Sequence, residues 1–193
     1  RKAFFGHVPF PCMHIDTEKK FPEMYEFRDR YVSEWGLNFI SDTCPPVEEM
    51  DETLPPAARS AARKTAGLKT LLQKHGFEGV IAGIRRDEEG TRAKERYFSP
   101  RGERGKWDIK EQPPEFWGQF NTTFPPGTHL RIHPLLHWTE IDIWRYTLRE
   151  NIPTVPLYFA NEGKRYRSLG DADITFPIDS VAETIPEIIA ELE

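Results

Sequence analysis

Cysteine is scarce in this sequence: Cys12 and Cys44 are the only two in 193 residues. Two are too few for a disulfide framework and these do not stand at a metal-ligand spacing, so both read as buried or idle thiols. Long apolar runs are missing as well, and nothing approaches the roughly 20 residues that cross a bilayer. Residues 1–10 lack the apolar core and small-residue cleavage site of a secretory leader, so the expectation is a cytoplasmic chain that meets no membrane. Excess positive charge is also lacking. A net charge of -5 argues against a nucleic-acid partner, which needs a basic face on a basic domain. There is no internal repeat and no low-complexity stretch, and the length suits a single domain spanning 1–193.

Proline is plentiful, at 17 residues, and the pairs Pro45-Pro46, Pro55-Pro56, Pro113-Pro114 and Pro125-Pro126 punctuate loops. Between them the pattern alternates. Phe10 to Ile15 reads as a buried strand, delivering Asp16 and Thr17 at its carboxyl end. Phe21, Met24, Tyr25, Tyr31, Val32 and Trp35 recur at helical spacing before Gly36. Leu37 to Ser41 reads as a second strand, Ala57 to His75 as a helix stopped by Gly76, and Phe77 to Ile84 as a third strand. His129 to Leu135 is a fourth, followed by a helix capped by Thr139 and ended before Pro153. A last amphipathic helix is expected from about Asp179-Ser180, with Val181, Ile185, Ile188, Ile189 and Leu192 on its apolar face.

This alternation predicts an α/β fold, a doubly wound, mostly parallel sheet with helices on both faces. In such sheets ligands lie beyond the carboxyl ends of the strands. Asp16-Thr17, Arg85 to Glu88 and His133 to Trp138 all fall at strand ends. Positive charge is concentrated in one stretch, at Arg85, Arg86, Arg92, Lys94, Arg96, Arg101, Arg104 and Lys106.

The run Gly83-Ile84-Arg85-Arg86-Asp87-Glu88-Glu89 with Arg92-Ala93-Lys94-Glu95-Arg96 resembles the small, catalytic subunit of the bacterial two-subunit sulfate adenylyltransferase. Further segments agree in the same order: Pro9-Phe10-Pro11, His14-Ile15-Asp16-Thr17, Glu23 to Asp29, Trp107-Asp108, Trp138 to Trp144, Ile152-Pro153, Val155 to Phe159 and Arg167-Ser168-Leu169-Gly170. The resemblance implies membership of the adenine nucleotide α-hydrolase-like group, beside the phosphoadenylylsulfate and adenylylsulfate reductases. It implies ATP with Mg2+, sulfate as the other substrate, and a GTPase large subunit as partner. The chain departs from the pattern in three places: the amino-terminal strand and Ser-Gly-Gly-Lys-Asp-Ser-type phosphate loop have no counterpart, Asn161 to Tyr166 is short, and the tail stops at Glu193. The expectation is therefore a truncated start.

For such a reaction two anions must be held together, which suits guanidinium groups. Arg85 and Arg86 are the first candidates, with Arg92 and Lys94 behind them. The alternative is that Asp87, Glu88, Glu89 and Glu95 pair with these bases on a solvated loop. The resemblance puts His14, Asp16, Thr17, Gly83 and Asp87 on the nucleotide, and Arg167, Ser168, Leu169, Gly170 and His133 on sulfate or phosphate. Asp16 and Thr17 have a second reading as a helix cap. His133 and His137 have no Cys or Glu at ligand spacing, so no protein-held metal is expected. Trp138 and Trp144 read as core. Two rivals stand beside the transferase: a sulfonucleotide reductase, which needs a nucleophilic cysteine where none follows Cys44, and a non-catalytic nucleotide-binding or regulatory subunit.

Overall fold

A computed structural model describes residues 1–102, 108, 110 and 112–193. Arg104, Lys106 and Trp107, singled out above, lie outside the described residues. The chain divides into two compact units, Arg1–Leu71 with Pro153–Glu191, and Leu72–Ile152 with Leu192–Glu193.

In the first unit, strand β1 (Cys12–Asp16) pairs in parallel with β2 (Phe39–Thr43), Asp16 opposite Thr43. The crossover between them is helix α1 (Pro22–Glu34), with Pro22 in its first turn, where a missing N–H costs nothing. Phe27, Tyr31 and Trp35 stack at ring distances of 4.6 and 4.9 Å along one face, and Gly36 ends the run at φ +58. Helix α2 (Pro56–His75) follows, stopped by Gly76 at φ +66. Gly67 lets α2 lie close to the strands, since a Cβ there would meet Ile15 Cγ2 at 2.9 Å and Cys44 Sγ at 3.3 Å.

The second unit holds a three-stranded sheet in the order β3 (Gly79–Ile81), β5 (His129–Ile132), β4 (Phe98–Arg101). β3 and β5 are parallel, whereas β4 is antiparallel to β5. No alternation of apolar residues announced β4; its sequence, Phe-Ser-Pro-Arg, buries Ser99 and Arg101 instead. Helix α3 (Glu140–Glu150) opens on the expected cap: Thr139 accepts from the Asp142 N–H while the Asp142 carboxylate accepts from Thr139.

Back in the first unit, a short antiparallel pair, β6 (Lys164–Arg165) and β7 (Ile178–Asp179), precedes α4 (Ile185–Leu192). Here the structure corrects the sequence reading. The last helix begins at Ile185 because Thr184 and Glu187 form its capping contacts, while Ser180 accepts from Arg165 and from the Ala182 N–H. Val181, expected on the apolar face, is 83% exposed. β3 and β5 are also shorter than expected, because the chain turns away at Ile81 and Ile132 to deliver Arg85–Arg86 and Pro134–His137.

Candidate functional site

At the end of β1, the carboxylate of Asp16 accepts from the Tyr25 hydroxyl at 2.7 Å and from the Glu18 N–H at 2.7 Å, both on Oδ1. Burial alone would raise its pKa, but these donors bring it below the usual value. The same pairing, added to burial, pushes Tyr25 up to about 12. His14, two residues earlier, faces Arg28: Nη1 lies 2.8 Å from Nδ1. A guanidinium can only donate, so Nδ1 is the acceptor and the proton of neutral His14 sits on Nε2. Burial first, and the Arg28 charge with it, depress the imidazole pKa although Asp16 opposes them.

Thr17 caps no helix. The N-cap of α1 is Phe21, with no side-chain cap bond, and the Thr17 hydroxyl donates instead to Asp171 Oδ1 at 2.6 Å. Asp171, 1% exposed, is a hub. It accepts from the Lys20 ammonium at 2.7 Å and the Ser60 hydroxyl, and Lys64 stands 3.4 Å away. Although burial opposes it, these donors hold its carboxyl far below the ordinary carboxylate range. The Arg167-Ser168-Leu169-Gly170 turn leads into Asp171. Arg167 and Ser168 are exposed, and Gly170 has no room for a side chain, since a Cβ would meet Thr175 Oγ1 at 2.8 Å. Thus Thr17 and the residue after Gly170 meet across 154 positions of sequence.

In the second unit the loop after β3 carries Gly83, exposed, and Arg85–Arg86. Arg85 Nε donates to Asp87 Oδ1 at 2.8 Å, and Nη1 lies 3.4 Å from Glu88. Asp87 Oδ2 in turn accepts from the Glu140 N–H at 2.6 Å, at the start of α3. Arg92 pairs with Glu89 at 3.1 Å, and Lys94 is exposed. These loop pairs are those of the ion-pair alternative. Arg86 is different: it donates to the Glu95 carbonyl at 2.8 Å and to His137 Nε2, and its own N–H reaches the Leu136 carbonyl. His137 therefore carries its proton on Nδ1, 2.5 Å from the Tyr97 hydroxyl.

Glu95 departs from the loop pairing altogether. It is 4% exposed and takes Arg101 Nη2 on both oxygens, at 2.9 and 3.1 Å. His133, 2% exposed, donates Nδ1–H to the Arg96 carbonyl at 2.8 Å. Burial lowers its pKa, so it is neutral and its 3.9 Å approach to Glu95 is no ion pair. Trp144 is buried, and Trp138 packs edge-on against Tyr146. Among the described residues no group of three or more His, Cys, Asp or Glu side chains could hold a metal ion, and no helix is long and apolar enough to cross a membrane.

The residues that sequence reasoning missed are Lys20, Tyr25, Arg28, Ser60, Lys64, Glu95 as a buried acid, Arg101 and Asp171. Lys20, Ser60, Lys64 and Asp171 act through partners far away in the chain. Tyr25, Arg28 and Glu95 stood inside segments of the resemblance and Asp171 directly after one, but nothing in those segments named their partners.

This arrangement, an α/β body with guanidinium and hydroxyl groups at its strand ends, matches the profile of the phosphoadenosine phosphosulfate reductase domain over residues 1–177, and the chain belongs to that family. Within it the chain stands with the sulfate adenylyltransferase subunit 2 proteins. It is 41% identical to those of Pseudomonas paraeruginosa and Stutzerimonas stutzeri and 40% identical to that of Azotobacter vinelandii, with 100% of this chain and 75% of each relative covered. The alignments run to 231 or 229 positions, longer than the chain itself, so parts of the relatives have no counterpart here.

Solved structures agree on the fold. A phosphoadenylyl-sulfate reductase from Candida auris superposes with a TM-score of 0.55 at 16% identity, over 87% of this chain and 72% of that one. An FMN adenylyltransferase from Candida glabrata, bound to FMN and an ATP analogue, gives 0.52 at 19% identity over 89% of this chain; only 46% of that enzyme is spanned.

Proposed function

We propose that the chain is the catalytic subunit of a sulfate adenylyltransferase, which joins sulfate to the α-phosphate of ATP and releases pyrophosphate. The observation that carries this reading is the 41% identity to sulfate adenylyltransferase subunit 2 over all of the chain. The reaction brings a doubly negative nucleophile to an already negative phosphorus, so its barrier falls where fixed cations neutralise both. Arg85 is suited to this. It stands on the loop leaving β3, and its side chain is 17% exposed, so an incoming anion has to compete only with the Asp87 and Glu88 carboxylates. Arg86, locked by Glu95 and His137, holds the loop that presents it and adds positive charge. Arg92 and Lys94 extend that charge, and His133 lies buried beneath the loop's Arg96.

At the end of β1, Asp16 leaves Oδ2 without a partner among the described residues, and His14 offers an Nε2–H donor; both suit ribose hydroxyls and base nitrogens. The family resemblance also assigns Thr17, Gly83 and Asp87 to the nucleotide, and Arg167 to Gly170 to sulfate or phosphate. The nucleotide arrives as its Mg2+ complex, the ion held chiefly by phosphate oxygens. The partner is a GTPase large subunit, whose hydrolysis offsets the unfavourable formation of a sulfate–phosphate anhydride, and the setting is the cytoplasm.

A reductase reading has less support within these residues. Cys44 is buried, which pushes its thiol pKa up and away from a reactive thiolate. The test is pyrophosphate release from MgATP and sulfate in the presence of the GTPase partner. Arg85→Ala is expected to lower the rate roughly 100-fold, the usual loss for one charge-stabilising donor, while the melting temperature moves by no more than about 2 °C. Activity within threefold of wild type removes Arg85 from the reaction.

A further inference from the structure

The first unit contains a small pocket on one side of the Asp171 cluster, and its arginines have no role in the proposed reaction. Its volume is about 90 Å3, and its polar wall is made by Lys19, Arg59, Ser60, Arg63, Asp171 and Asp173. Ligand pockets for drug-sized molecules start near roughly 300 Å3. A base and ribose therefore do not fit, and a group of a few heavy atoms does.

Arg63 decides what that group is. It is 5% exposed, so its charge has left water almost completely. Nε donates to the Pro45 carbonyl at 2.8 Å and Nη1 reaches the Thr17 carbonyl at 3.4 Å, which satisfies two donors of five but does not neutralise the ion. Among the described residues no carboxylate pairs with it. A buried cation without a counter-ion is held against a large desolvation cost. Arg59, beside it on α2, is fixed through Nη2 to the Glu52 and Leu54 carbonyls and leaves its buried Nε without a partner.

The two carboxylates on the wall do not cancel this charge. Asp173 is taken by Lys19 at 2.5 Å. Asp171 is taken by Lys20 at 2.7 Å, with Lys64 at 3.4 Å. Three lysines share these two acids, and among the described residues Arg59 and Arg63 have no carboxylate partner. A planar guanidinium fork with open donors matches the oxygens of a tetrahedral oxyanion.

We propose that the Lys19–Arg59–Arg63 pocket binds one tetrahedral oxyanion, either a free sulfate or phosphate ion or the terminal phosphate of a nucleotide. It shares no residue with the Arg85–Arg86 loop but adjoins Thr17, whose carbonyl accepts from Arg63; the test reads binding alone, so it stands whether or not the chain turns over substrate.

The experiment measures melting temperature and calorimetric binding of the full chain in chloride at matched ionic strength, with sodium sulfate, sodium phosphate, adenosine or ATP as probes. Wild type is expected to bind at least one of sulfate, phosphate and ATP saturably. Arg63→Met, which fills the space without the charge, is expected to weaken that binding at least tenfold while leaving adenosine binding unchanged. In chloride alone it is expected to melt no lower than wild type, because the variant removes an unpaired buried ion. Lys19→Gln, at the exposed rim, is expected to weaken the same ligand about threefold without touching the core. Loss confined to sulfate and phosphate identifies the free ion as occupant, and loss confined to ATP identifies the terminal phosphate. The proposal is overturned if wild type binds none of the three at 10 mM, or if Arg63→Met and Lys19→Gln both bind like wild type. It is also overturned if Arg63→Met melts lower by the same amount with and without the anion, the behaviour of a mere tether to Pro45 and Thr17.

Discussion

Replacing Glu95 by glutamine isolates the energetic weight of a buried ion pair in the second unit. The side chains of Glu95 and Arg101 are 5% and 10% exposed, and the carboxylate takes the guanidinium on both oxygens at 2.9 and 3.1 Å. With so little solvent, screening is weak. Replacing the carboxylate by an amide removes the charge from both of these bonds, and breaking a buried pair by altering one partner costs about 3–5 kcal/mol. That is a large part of the roughly 5–15 kcal/mol that a domain of this kind possesses. For chains of about 150–250 residues each kcal/mol moves the midpoint by roughly 2–4 °C, so Glu95→Gln should melt about 6–20 °C lower. Denaturant unfolding followed by tryptophan fluorescence reports on the same unit, where Trp138 and Trp144 lie. The double variant Glu95→Gln/Arg101→Met should recover part of the loss, because the buried guanidinium is then removed together with the carboxylate that faced it. The exposed pair Lys164–Asp179, at 2.9 Å, is the control, and breaking it should leave the midpoint nearly unchanged. A loss below about 1 kcal/mol for Glu95→Gln would refute the reasoning, since the pair would then behave as a surface contact.

Other substitutions probe the remaining joints. Gly67→Ala places a methyl 2.9 Å from Ile15 and 3.3 Å from Cys44, so denaturant titration should show a loss of about 1–3 kcal/mol from overpacking. Thr139→Ala removes half of the capping box on α3 and should cost about 1 kcal/mol by the same titration. Acidification acts on His14, His129, His133 and His137, all with pKa values lowered, first of all by burial. The unfolded chain binds protons on these groups at higher pH than the folded one does. Stability is therefore complete above the unfolded value of about 6.5 and is lost as the pH falls through the folded values. Melting at pH 5.5 should be clearly lower than at pH 7.5 in chloride buffer, and an equal or higher value would contradict the burial of the His14, His129 and His133 rings.

The local grammar of the fold was legible where one residue decides one turn. Gly36 and Gly76 took the positive φ expected of helix stops, and Thr139 capped α3 as its spacing to Asp142 predicts. β4 was illegible because its buried positions are Ser99 and Arg101, polar residues whose burial is licensed by Glu95 rather than by hydropathy. The start of α4 was misplaced because Asp179-Ser180 and Thr184 both look like caps, and only the contacts of Ser180 with Arg165 and Ala182 show which is engaged elsewhere. Among the described residues buried polar side chains outnumber buried apolar ones, so hydrophobic pattern had less to say here than in an ordinary core. The same reason hid much of the candidate site. Thr17 and Asp171 depend on each other, yet nothing local in either neighbourhood names the other, while the Arg85–Arg86 run drew notice through charge density alone.

That mutual dependence sets an order of assembly on the ribosome. Residues 1–71 belong to a unit that is completed only by residues 153–191, so Lys20, Ser60 and Lys64 emerge long before the carboxylate that neutralises them. At about 5–20 residues per second, Asp171 follows Leu71 out of the tunnel by about 5–20 seconds. During that interval the ammonium and hydroxyl groups of the amino-terminal segment lack the one carboxylate that gathers them in the folded unit, and the intervening stretch, contiguous in sequence, is free to fold first.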